Sequence, residues 1–433
     1  MNLLFANDRS GLYPPSYYAK GSDAFTPHPI AQGALCCDVC VIGAGFTGLS
    51  SALHLAERGY DVIVVDAQRV GFGASGRNGG QVGQGQRLDQ DELEKMLGVD
   101  RAKALWTVAT QSVDLVKTLA RSDMVHASFH DGLIHADHKE KHVSATHDYV
   151  RKLREDYGYS QVEPLSRDEL SSWVASPIYH GGMIDHHAGH IDPLQLVLGL
   201  ARLAAHAGVR IFEQSEVLDI SDESTPQIRT QNAMISAGKV IVACNGYIGN
   251  LLPKVARHVM PINNYIVATK PLEKATQEAI IKGNVAVADS KFVVNYFRFS
   301  DDHRLLFGGT ESYRYKFPQN IETAVRRPLG EVFPQLSQVK IDYAWGGTLG
   351  ITRTRMPHFD RVSKNVISMS GFSGHGVAMG TLSGQIAADY IAGQSERFDL
   401  FSSIETPAFP GGTRLRTPLL TLAMLWYSLR DKL

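Results

Sequence analysis

Apolar residues follow two different periods along the chain, and the clearest succession lies between residues 38 and 66. Continuous apolar runs at 39–42 and 62–65 flank a segment in which apolar residues recur every three to four positions. Such runs predict buried strands, and the period between them predicts an amphipathic helix. We therefore expect a βαβ unit there. The apolar runs at 209–212 and 239–246 predict two further strands of the same sheet.

A second pattern begins at residue 261, where the apolar positions change to a period of two. Segments 265–269, 292–299 and 304–309 alternate in this way, which is typical of antiparallel strands that bury one face. The stretch from 89 to 169 is mostly amphipathic and helical. These patterns predict an α/β protein in which a Rossmann-like domain is joined to a second, α+β domain built on an antiparallel sheet.

Gly43, Gly45 and Gly48 form a GxGxxG turn between the first predicted strand and the helix. Gly43 would make the tight turn, Gly45 would admit a pyrophosphate, and Gly48 would let helix and strand pack closely. The helix N-terminus then offers N–H groups and a positive dipole to the anion. Asp66 ends the second strand where a carboxylate would bind a ribose 2′-hydroxyl. The motif predicts dinucleotide binding but does not separate NAD from FAD.

Two more glycine-rich segments lie at 71–81 and 371–380. The first suggests a backbone that passes against a flat or crowded group, with a flexible surface loop as the alternative. The second opens a helix and so offers another N-terminus to negative charge. NAD needs one glycine fingerprint, whereas a flavin accounts for all three segments, with its pyrophosphate, its ring and its N1–C2=O edge meeting one segment each. The sequence therefore favours FAD.

Length and composition indicate a large core and exclude some partners. The 433 residues are 44% hydrophobic with a formal net charge of -1, which predicts a globular protein without affinity for nucleic acid or acidic membranes. Cys37 and Cys40 have a CxxC spacing that is not repeated in the sequence, so buried apolar cysteines are favoured over a zinc or redox site. The cysteine usage and the lack of a signal-peptide pattern predict a cytoplasmic protein. The oligomeric state is left open.

His186 and His190 are four residues apart, as metal ligands on a helix would be. Gly189 and Pro193 argue against a helix that would aim both rings at one ion, so no metal site is predicted. Asp192 is instead expected to cap a helix that begins at Pro193.

The predicted domains are discontinuous because the two patterns interleave. The chain is expected to divide into an N-terminal arm over the surface (1–33), a dinucleotide-binding domain (34–95, 160–255 and 340–400), a substrate domain (96–159 and 256–339) and a C-terminal tail (401–433). The tail contains the apolar segment 419–429, which is about half of a membrane span. A helix docked on the protein or on a subunit is favoured over an interfacial membrane anchor.

Seven segments resemble those of a known family. They are CDVCVIGAGFTGLSSALHLAERGYDV, GFGASGRNGGQ, GGMIDHHAGHIDPL, FPQLSQVKIDYAW, TRMPHFDR, GFSGHGV and FPGGTRLRTPLLTLAMLWYSLRD. On these segments the chain resembles the D-amino-acid-oxidase-like superfamily of FAD oxidoreductases, and within it the bacterial γ-glutamylputrescine oxidases. The resemblance implies oxidation of the primary amine of γ-glutamylputrescine to γ-glutamyl-γ-aminobutyraldehyde, with release of ammonia and with O2 reduced to hydrogen peroxide.

The resemblance also implies site residues. The implied flavin contacts are Gly43, Gly45, Phe46, Thr47, Gly48, Asp66, Ala67, Ser75, Arg77, Asn78, Gly79, Gly80, Gln81, Gly374, His375 and Gly376. Tyr296 and Arg355 are expected on the substrate side, and His375 is a candidate base. The alternatives are sheet packing for Tyr296, a surface ion pair for Arg355, and a role of the backbone alone for His375.

Two departures limit what the resemblance implies. The sarcosine-oxidase branch holds its flavin through a cysteine after the antiparallel sheet, and the cysteines of this sequence lie elsewhere, so non-covalent FAD is expected. That branch also activates O2 with a lysine, where this sequence has Leu306. A dehydrogenase that acts on another amine or N-substituted amino acid and passes electrons to a quinone or carrier therefore stays an alternative. A flavin-binding protein without turnover is disfavoured.

Overall fold

The computed structural model of the protein describes residues 2–20, 25–221 and 224–412. Its strands are β1 (Gly33–Ile42), β2 (Val62–Val65), β3 (Gln81–Val82), β4 (His130–Ala136), β5 (Val162–Leu165), β6 (Gly182–His190), β7 (Arg210–Phe212), β8 (Asp219–Ser221), β9 (Gln227–Arg229), β10 (Ala233–Val242), β11 (Met260–Thr269), β12 (Ala286–Asp289), β13 (Tyr296–Phe299), β14 (Leu305–Ser312), β15 (Ile341–Ile351), β16 (His358–Arg361) and β17 (Val366–Ser370). Its α-helices are α1 (Phe46–Ala56), α2 (Gln90–Leu97), α3 (Val99–Ala120), α4 (Glu140–Glu155), α5 (Arg167–Trp173), α6 (Pro193–His206), α7 (Pro253–Ala256), α8 (Lys274–Ile280), α9 (Ile321–Val332), α10 (Ala378–Ile391) and α11 (Glu396–Ser402).

β1 lies at the centre of the first sheet, in the strand order β16-β17-β10-β1-β2-β7, and β9 joins at β10 with β8 beside it. β1 pairs in parallel with both β2 and β10, and α1 connects β1 to β2. The predicted βαβ unit is thus confirmed, as are the two further strands β7 and β10. The four residues of β2 are all buried, because helices α1, α6 and α10 cover one face of the sheet and a second apolar cluster covers the other.

The second sheet has the order β15-β11-β14-β13-β12-β4-β6-β3, with β5 beside β6. The predicted antiparallel strands are present as β11, β13 and β14. The sheet is mixed, however, because β12 and β4 pair in parallel. These two strands are far apart in the chain, so no hairpin fixes their relative direction. β6 and β15 also belong to this sheet, although their residues fall in segments expected for the dinucleotide-binding domain. The domain boundaries stay a prediction.

The predicted strand 292–299 is shorter than expected, since β13 begins at Tyr296. The preceding residues form a loop closed on the buried carboxylate of Asp289, which accepts hydrogen bonds from Asn295 N (2.9 Å) and Asn295 Nδ2 (2.7 Å). A polar group buried in this way must find partners, and the loop backbone supplies them in place of a strand ladder.

The two faces of the second sheet belong to different apolar clusters. Phe297, Phe307 and Val267 lie in a cluster covered by α9. Ile266 and Leu306 point to the other face and join the cluster of the first sheet. The polar residues on this second face therefore face the glycine-rich segments.

The N-terminal arm is held by specific contacts, some of them buried. Tyr18 is 2% exposed and packs edge-on against Trp345, with ring centroids 5.4 Å apart. Asp8 pairs with Arg77 (2.9 Å), and the side chain of Asn7 bonds to the backbone N of Phe317 (2.8 Å). The arm thus joins β15 and the second glycine segment.

Of the two cysteines of the CxxC motif, Cys40 is buried, as predicted. Cys37 is only half-buried, and the neighbouring Cys36 is exposed. The reason is the register of β1. β2 covers β1 from Val39 to Ile42, so the earlier residues of β1 have β10 as their neighbour on one side alone. Cys244 is half-buried beyond the end of β10.

Asp192 caps α6 as predicted, with its carboxylate accepting from Leu194 N and Gln195 N (both 2.9 Å) and Pro193 in the first turn. His186 and His190 lie on strand β6, and His190 stacks on the ring of His130. Among the described residues, no helix is long and apolar enough to cross a membrane. The predicted apolar helix at 419–429 lies outside the described residues.

Candidate functional site

The turn between β1 and α1 has the close approach that the glycine spacing predicts. A Cβ on Gly48 would lie 1.8 Å from the carbonyl oxygen of Gly43, so no other residue fits there. Gly45 caps α1 without a side chain. Ser75 Oγ accepts a hydrogen bond from Phe46 N (3.0 Å), which shows that an oxygen acceptor is accommodated at this helix N-terminus. The cradle therefore fits a phosphate group.

Asp66 faces the same turn from the end of β2. Its carboxylate accepts from Ala44 N (2.7 Å) and Gln68 N (2.8 Å). Burial raises the pKa of Asp66 to about 6, although these two hydrogen bonds act in the opposite direction. Ala67 follows it and is half-buried. The carboxylate is thus fixed by the backbone with its remaining lone pairs free for a hydroxyl donor.

The second glycine segment is an ordered loop. Asn78 Nδ2 donates to Ala74 O and Ser75 O (both 3.0 Å), and Asn78 Oδ1 accepts from Gly80 N (2.7 Å). Arg298 Nε donates to Gly79 O (2.7 Å). The alternative of a flexible surface loop is wrong, because side chains fix the backbone at both ends of the turn. After the loop, Gln81 begins β3 and donates to the backbone of β12.

Arg77 ties this loop to the second sheet. Its guanidinium donates to Phe72 O (2.9 Å) and Gly346 O (3.0 Å) and pairs with Asp8 (2.9 Å). Trp345 Nε1 in turn donates to Arg77 O (3.0 Å). Arg77 is 2% exposed, so its guanidinium holds the loop through buried hydrogen bonds. A direct contact of Arg77 with the cofactor stays a prediction.

The third segment lies at the start of α10, which has no side-chain cap. Gly374 has φ +106°, a conformation that favours glycine, and a Cβ there would meet open space. His375 is half-buried, and its Nδ1 is buried without a partner among the described residues. Burial and the charge of Arg87 lower the pKa of His375 to about 4. The imidazole is therefore neutral at pH 7, which leaves Nδ1 able to bond to a ligand.

Contacts bring the three segments together. Helices α1 and α10 pack side by side, with Gly380 of α10 against Thr47 of α1, since a Cβ on Gly380 would lie 3.3 Å from Thr47 Oγ1. Ser75 joins the second segment to the start of α1. Gly376 continues the third segment into α10, where its carbonyl accepts from Gly380 N (3.1 Å). This arrangement fits one extended ligand with a phosphate at α1, and the individual cofactor contacts stay predictions.

Tyr296 lies where the second sheet meets the second glycine segment. A Cβ on Gly79 would lie 2.7 Å from the ring of Tyr296. The hydroxyl of Tyr296 donates to Asn264 Oδ1, and burial raises its pKa well above the usual range. Asn264 pairs across the sheet with Glu311. Tyr296 is thus packed in a sheet, as the alternative held, and also lies against the loop, as a substrate-side residue would.

Glu311, Tyr313 and Arg87 were not expected from the sequence. The hydroxyl of Tyr313 donates to the Glu311 carboxylate, and burial raises the pKa of Glu311. Arg355 is half-buried with φ +64°. Burial and the charge of Arg87 lower the pKa of its guanidinium, and the charge of Glu311 acts in the opposite direction. A substrate-side role of Arg355 stays a prediction. The sequence signal for Glu311 was its position, since it is a polar residue near the end of an alternating strand.

Comparison with known proteins identifies the family. The sequence model of the family described as FAD dependent oxidoreductase, DAO, matches residues 38–390. The chain belongs to this family. The DAO match covers the glycine turn, the loop at 71–81, the second sheet and α10, and so includes every segment of the site described above. FAD is therefore the ligand that the cradle takes.

The sequences of two curated relatives match nearly the whole chain. It is 42% identical over 405 residues to a probable oxidoreductase OrdL of Rhizobium meliloti (strain 1021), covering 93% of this chain and 94% of the relative. It is 38% identical over 419 residues to the gamma-glutamylputrescine oxidoreductase of Escherichia coli (strain K12), covering 96% and 98%. Among solved structures, glycine oxidase from Geobacillus kaustophilus has a TM-score of 0.72 at 21% identity, covering 86% of this chain and 100% of that one. The DAO chain is an FAD-dependent oxidoreductase, homologous to amine and amino acid oxidases.

Proposed function

We propose that this enzyme oxidises the primary amine of γ-glutamylputrescine. The products are γ-glutamyl-γ-aminobutyraldehyde, ammonia and hydrogen peroxide, from one amine, one O2 and one water. The relative from Escherichia coli with the corresponding name supports the choice of substrate. The structural observation that carries the proposal is the contact of Tyr296 with Gly79, which sets the polar face of the second sheet beside the glycine loop.

FAD, held without a covalent bond at the glycine cradle and Asp66, would supply the hydride acceptor for the carbon that bears the amine. The residues of the chain would bind and orient that carbon. Tyr296 stays protonated because burial raises its pKa, and its hydroxyl is directed at Asn264, so its ring is fixed as a wall of the site. His375 stays neutral, so it adds no positive charge that would oppose binding of an amine.

The same shift limits His375 as a base. With a pKa of about 4, its ring cannot hold a proton taken from an alkylammonium ion near pH 7. The substrate therefore has to enter as the neutral amine, or its ammonium group has to lose a proton to water. We assign His375 Nδ1 a hydrogen bond to the bound cofactor or substrate.

A second candidate is a dehydrogenase that passes its electrons to a quinone or carrier. The observation that favours it is Leu306, which is 2% exposed within an apolar cluster. A cation at that position would aid the reduction of O2 by stabilising negative charge, and leucine offers none.

An anaerobic experiment tests both candidates. The flavin absorbance of the purified enzyme is recorded, γ-glutamylputrescine is added, and air is then admitted. Bleaching followed by recovery with one peroxide per turnover is expected for the oxidase. Bleaching that recovers with an artificial acceptor but not with air would favour the dehydrogenase. An unchanged spectrum would refute the proposed substrate. Flavin that separates from the protein on denaturation would support non-covalent binding.

A further inference from the structure

Arg298 is a buried arginine on β13, two residues after Tyr296. Because side chains alternate along a strand, Arg298 and Tyr296 point to the same face of the second sheet. Both of them contact Gly79 of the second glycine segment. The ring of Tyr296 lies 2.7 Å from the position of a Cβ on Gly79, and Arg298 Nε donates to Gly79 O (2.7 Å). Arg298 therefore belongs to the sheet face that meets the glycine loop.

The peptide between Gly79 and Gly80 is fixed on both of its sides. Arg298 holds its carbonyl oxygen, and Asn78 Oδ1 accepts a hydrogen bond from its N–H, which is Gly80 N (2.7 Å). The guanidinium also packs on Gly80, where a Cβ would lie 2.9 Å from Arg298 Nη2. The orientation of this one peptide in the loop thus depends on Arg298.

Each nitrogen of the Arg298 guanidinium donates to an uncharged acceptor. Nε donates to Gly79 O, and Nη1 donates to Phe299 O (3.2 Å). Nη2 donates to Ile191 O and to the hydroxyl of Tyr18 (both 3.2 Å). These bonds satisfy the donors of the buried group, but carbonyl and hydroxyl oxygens do not cancel its charge.

Carboxylates near Arg298 are bonded elsewhere. Asp192 and Asp301 line the same cavity as Arg298, but Asp192 caps α6 and Asp301 pairs with His130 (2.9 Å). Within the described ranges, Arg298 forms no ion pair. Arg298 is 4% exposed, and an arginine keeps its proton even when it is buried. The structure therefore holds a buried positive charge that has no direct counter-ion in the part of the chain that it describes.

The second glycine segment gives this charge a target. It is the segment that is expected to pass against the ring of FAD. Two electrons and one proton taken up by FAD leave one negative charge on the ring, and a positive charge fixed close by in a medium of low dielectric constant stabilises it. The other arginine of this loop, Arg77, is paired with Asp8 (2.9 Å), so its charge is offset.

We propose that Arg298 is a positioning residue that raises the reduction potential of the bound FAD. Its guanidinium orients the peptide between Gly79 and Gly80 and keeps an unpaired positive charge beside the loop. In turnover the two electrons come from the amine, so a higher potential favours oxidation of the amine. This role goes beyond the proposed function, because it concerns the cofactor and does not depend on which amine is the substrate.

The potential is measured in the purified holoenzyme, by anaerobic equilibration with a reference dye and without an amine. Arg298→Met and Arg298→Gln both remove the charge, and glutamine keeps an N–H donor for Gly79 O. Each should shift the equilibrium toward oxidised flavin about 10-fold or more, which is about 30 mV for a two-electron couple. Arg298→Lys keeps the charge and should stay within about 3-fold of the wild type.

Binding of the two redox forms of FAD gives an independent measurement. By linkage, a change in potential must equal the change in the ratio of the Kd for reduced FAD to the Kd for oxidised FAD. Arg298→Gln should therefore weaken the binding of reduced FAD about 10-fold more than that of oxidised FAD. A variant that only loosened the loop would weaken both forms equally.

Arg353→Met is the matched control, since Arg353 is exposed and donates to Ala408 O (3.1 Å). Its potential should equal that of the wild type. An unchanged potential in the two neutral variants, or an equal fall in Arg298→Lys, would overturn the inference. Loss of FAD from both neutral variants would assign Arg298 to cofactor binding and would also overturn it. The proposed function is tested separately, because it fails only if γ-glutamylputrescine does not reduce the wild-type flavin.

Discussion

Replacing Arg77 by methionine keeps the apolar stem of the side chain and removes the guanidinium. The stem packs on Gly347, where an added Cβ would lie 2.9 Å from Arg77 Cγ, so that contact is preserved. The change removes the hydrogen bonds to Phe72 O and Gly346 O and leaves Asp8 without its partner. The second glycine segment then loses its tie to β15 and to the N-terminal arm.

The expected cost follows from the burial of the pair. The side chains of Arg77 and Asp8 are 1% and 14% exposed, and removal of one member of a buried pair costs about 3–5 kcal/mol. Arg77 also lies over the ring of Phe72, 4.8 Å from its centroid. One nitrogen, Nη2, is buried without a partner in the described ranges, and losing an unsatisfied donor offsets part of the cost. We therefore expect the lower end, about 3 kcal/mol.

Urea unfolding followed by far-ultraviolet circular dichroism, at a fixed FAD concentration, measures this cost. Asp8→Asn and the double variant complete a cycle, and we expect a coupling free energy of about 1–3 kcal/mol between Arg77 and Asp8. Arg353→Met is the matched control and should stay within about 0.5 kcal/mol of the wild type. A loss below about 1 kcal/mol in Arg77→Met, or strictly additive effects in the double variant, would refute the reasoning.

Three further predictions concern the cofactor and the substrate face. Gly48→Ala should lower FAD affinity by about 10-fold or more, because its Cβ would overlap a backbone oxygen. Gly330→Ala is the control, since a Cβ there would lie 3.4 Å from Ser337 Cβ, and it should bind FAD normally in the same fluorescence titration. Tyr296→Phe should keep its FAD spectrum and lose about 5–10-fold in the rate of anaerobic flavin reduction, since Asn264 loses its hydrogen-bond donor. An unchanged rate would show that Tyr296 contributes only packing. The raised pKa of Asp66, about 6, means that the carboxyl group takes up a proton as the pH falls through 6, and a ribose hydroxyl donates best to the ionised form. The Kd for FAD should therefore rise between pH 7 and pH 5 in the wild type, and the same rise in Asp66→Asn would contradict this assignment.

The βαβ unit was predictable because its information is local. The glycine spacing, the helical period and the two apolar runs all lie within residues 38–66, and each constrains the same few turns of backbone. Asp192 and Pro193 predicted their helix start for the same reason. The parallel pairing of β4 with β12 was not predictable, since neither strand carries a signal for a partner so distant in the chain.

The position of Glu311 on the face that holds Tyr296 was missed for a related reason. Strict alternation along β14 would put Gly308 and Glu311 on opposite faces, because they are three residues apart. An irregularity in the pairing between Tyr265 and Ile266 lets Gly308 pair with Ile266 while Glu311 pairs with Asn264. The extra residue returns Glu311 to the face that holds Tyr296. A bulge of this kind has no mark in the sequence pattern, so the sequence alone did not place Glu311 beside Tyr296.

The bonds that hold the second glycine segment also set an order of assembly. Arg77 bonds to Gly346, 269 residues later, and Trp345 bonds back across 268 residues. During synthesis, the first glycine turn can form early from neighbouring residues, but the segment at 71–81 cannot settle until β15 has emerged and paired. Contacts this distant in sequence form slowly. A ribosome stalled before residue 345 would therefore present a nascent chain with an incomplete flavin site, and chaperones or proteases would meet that exposed loop first.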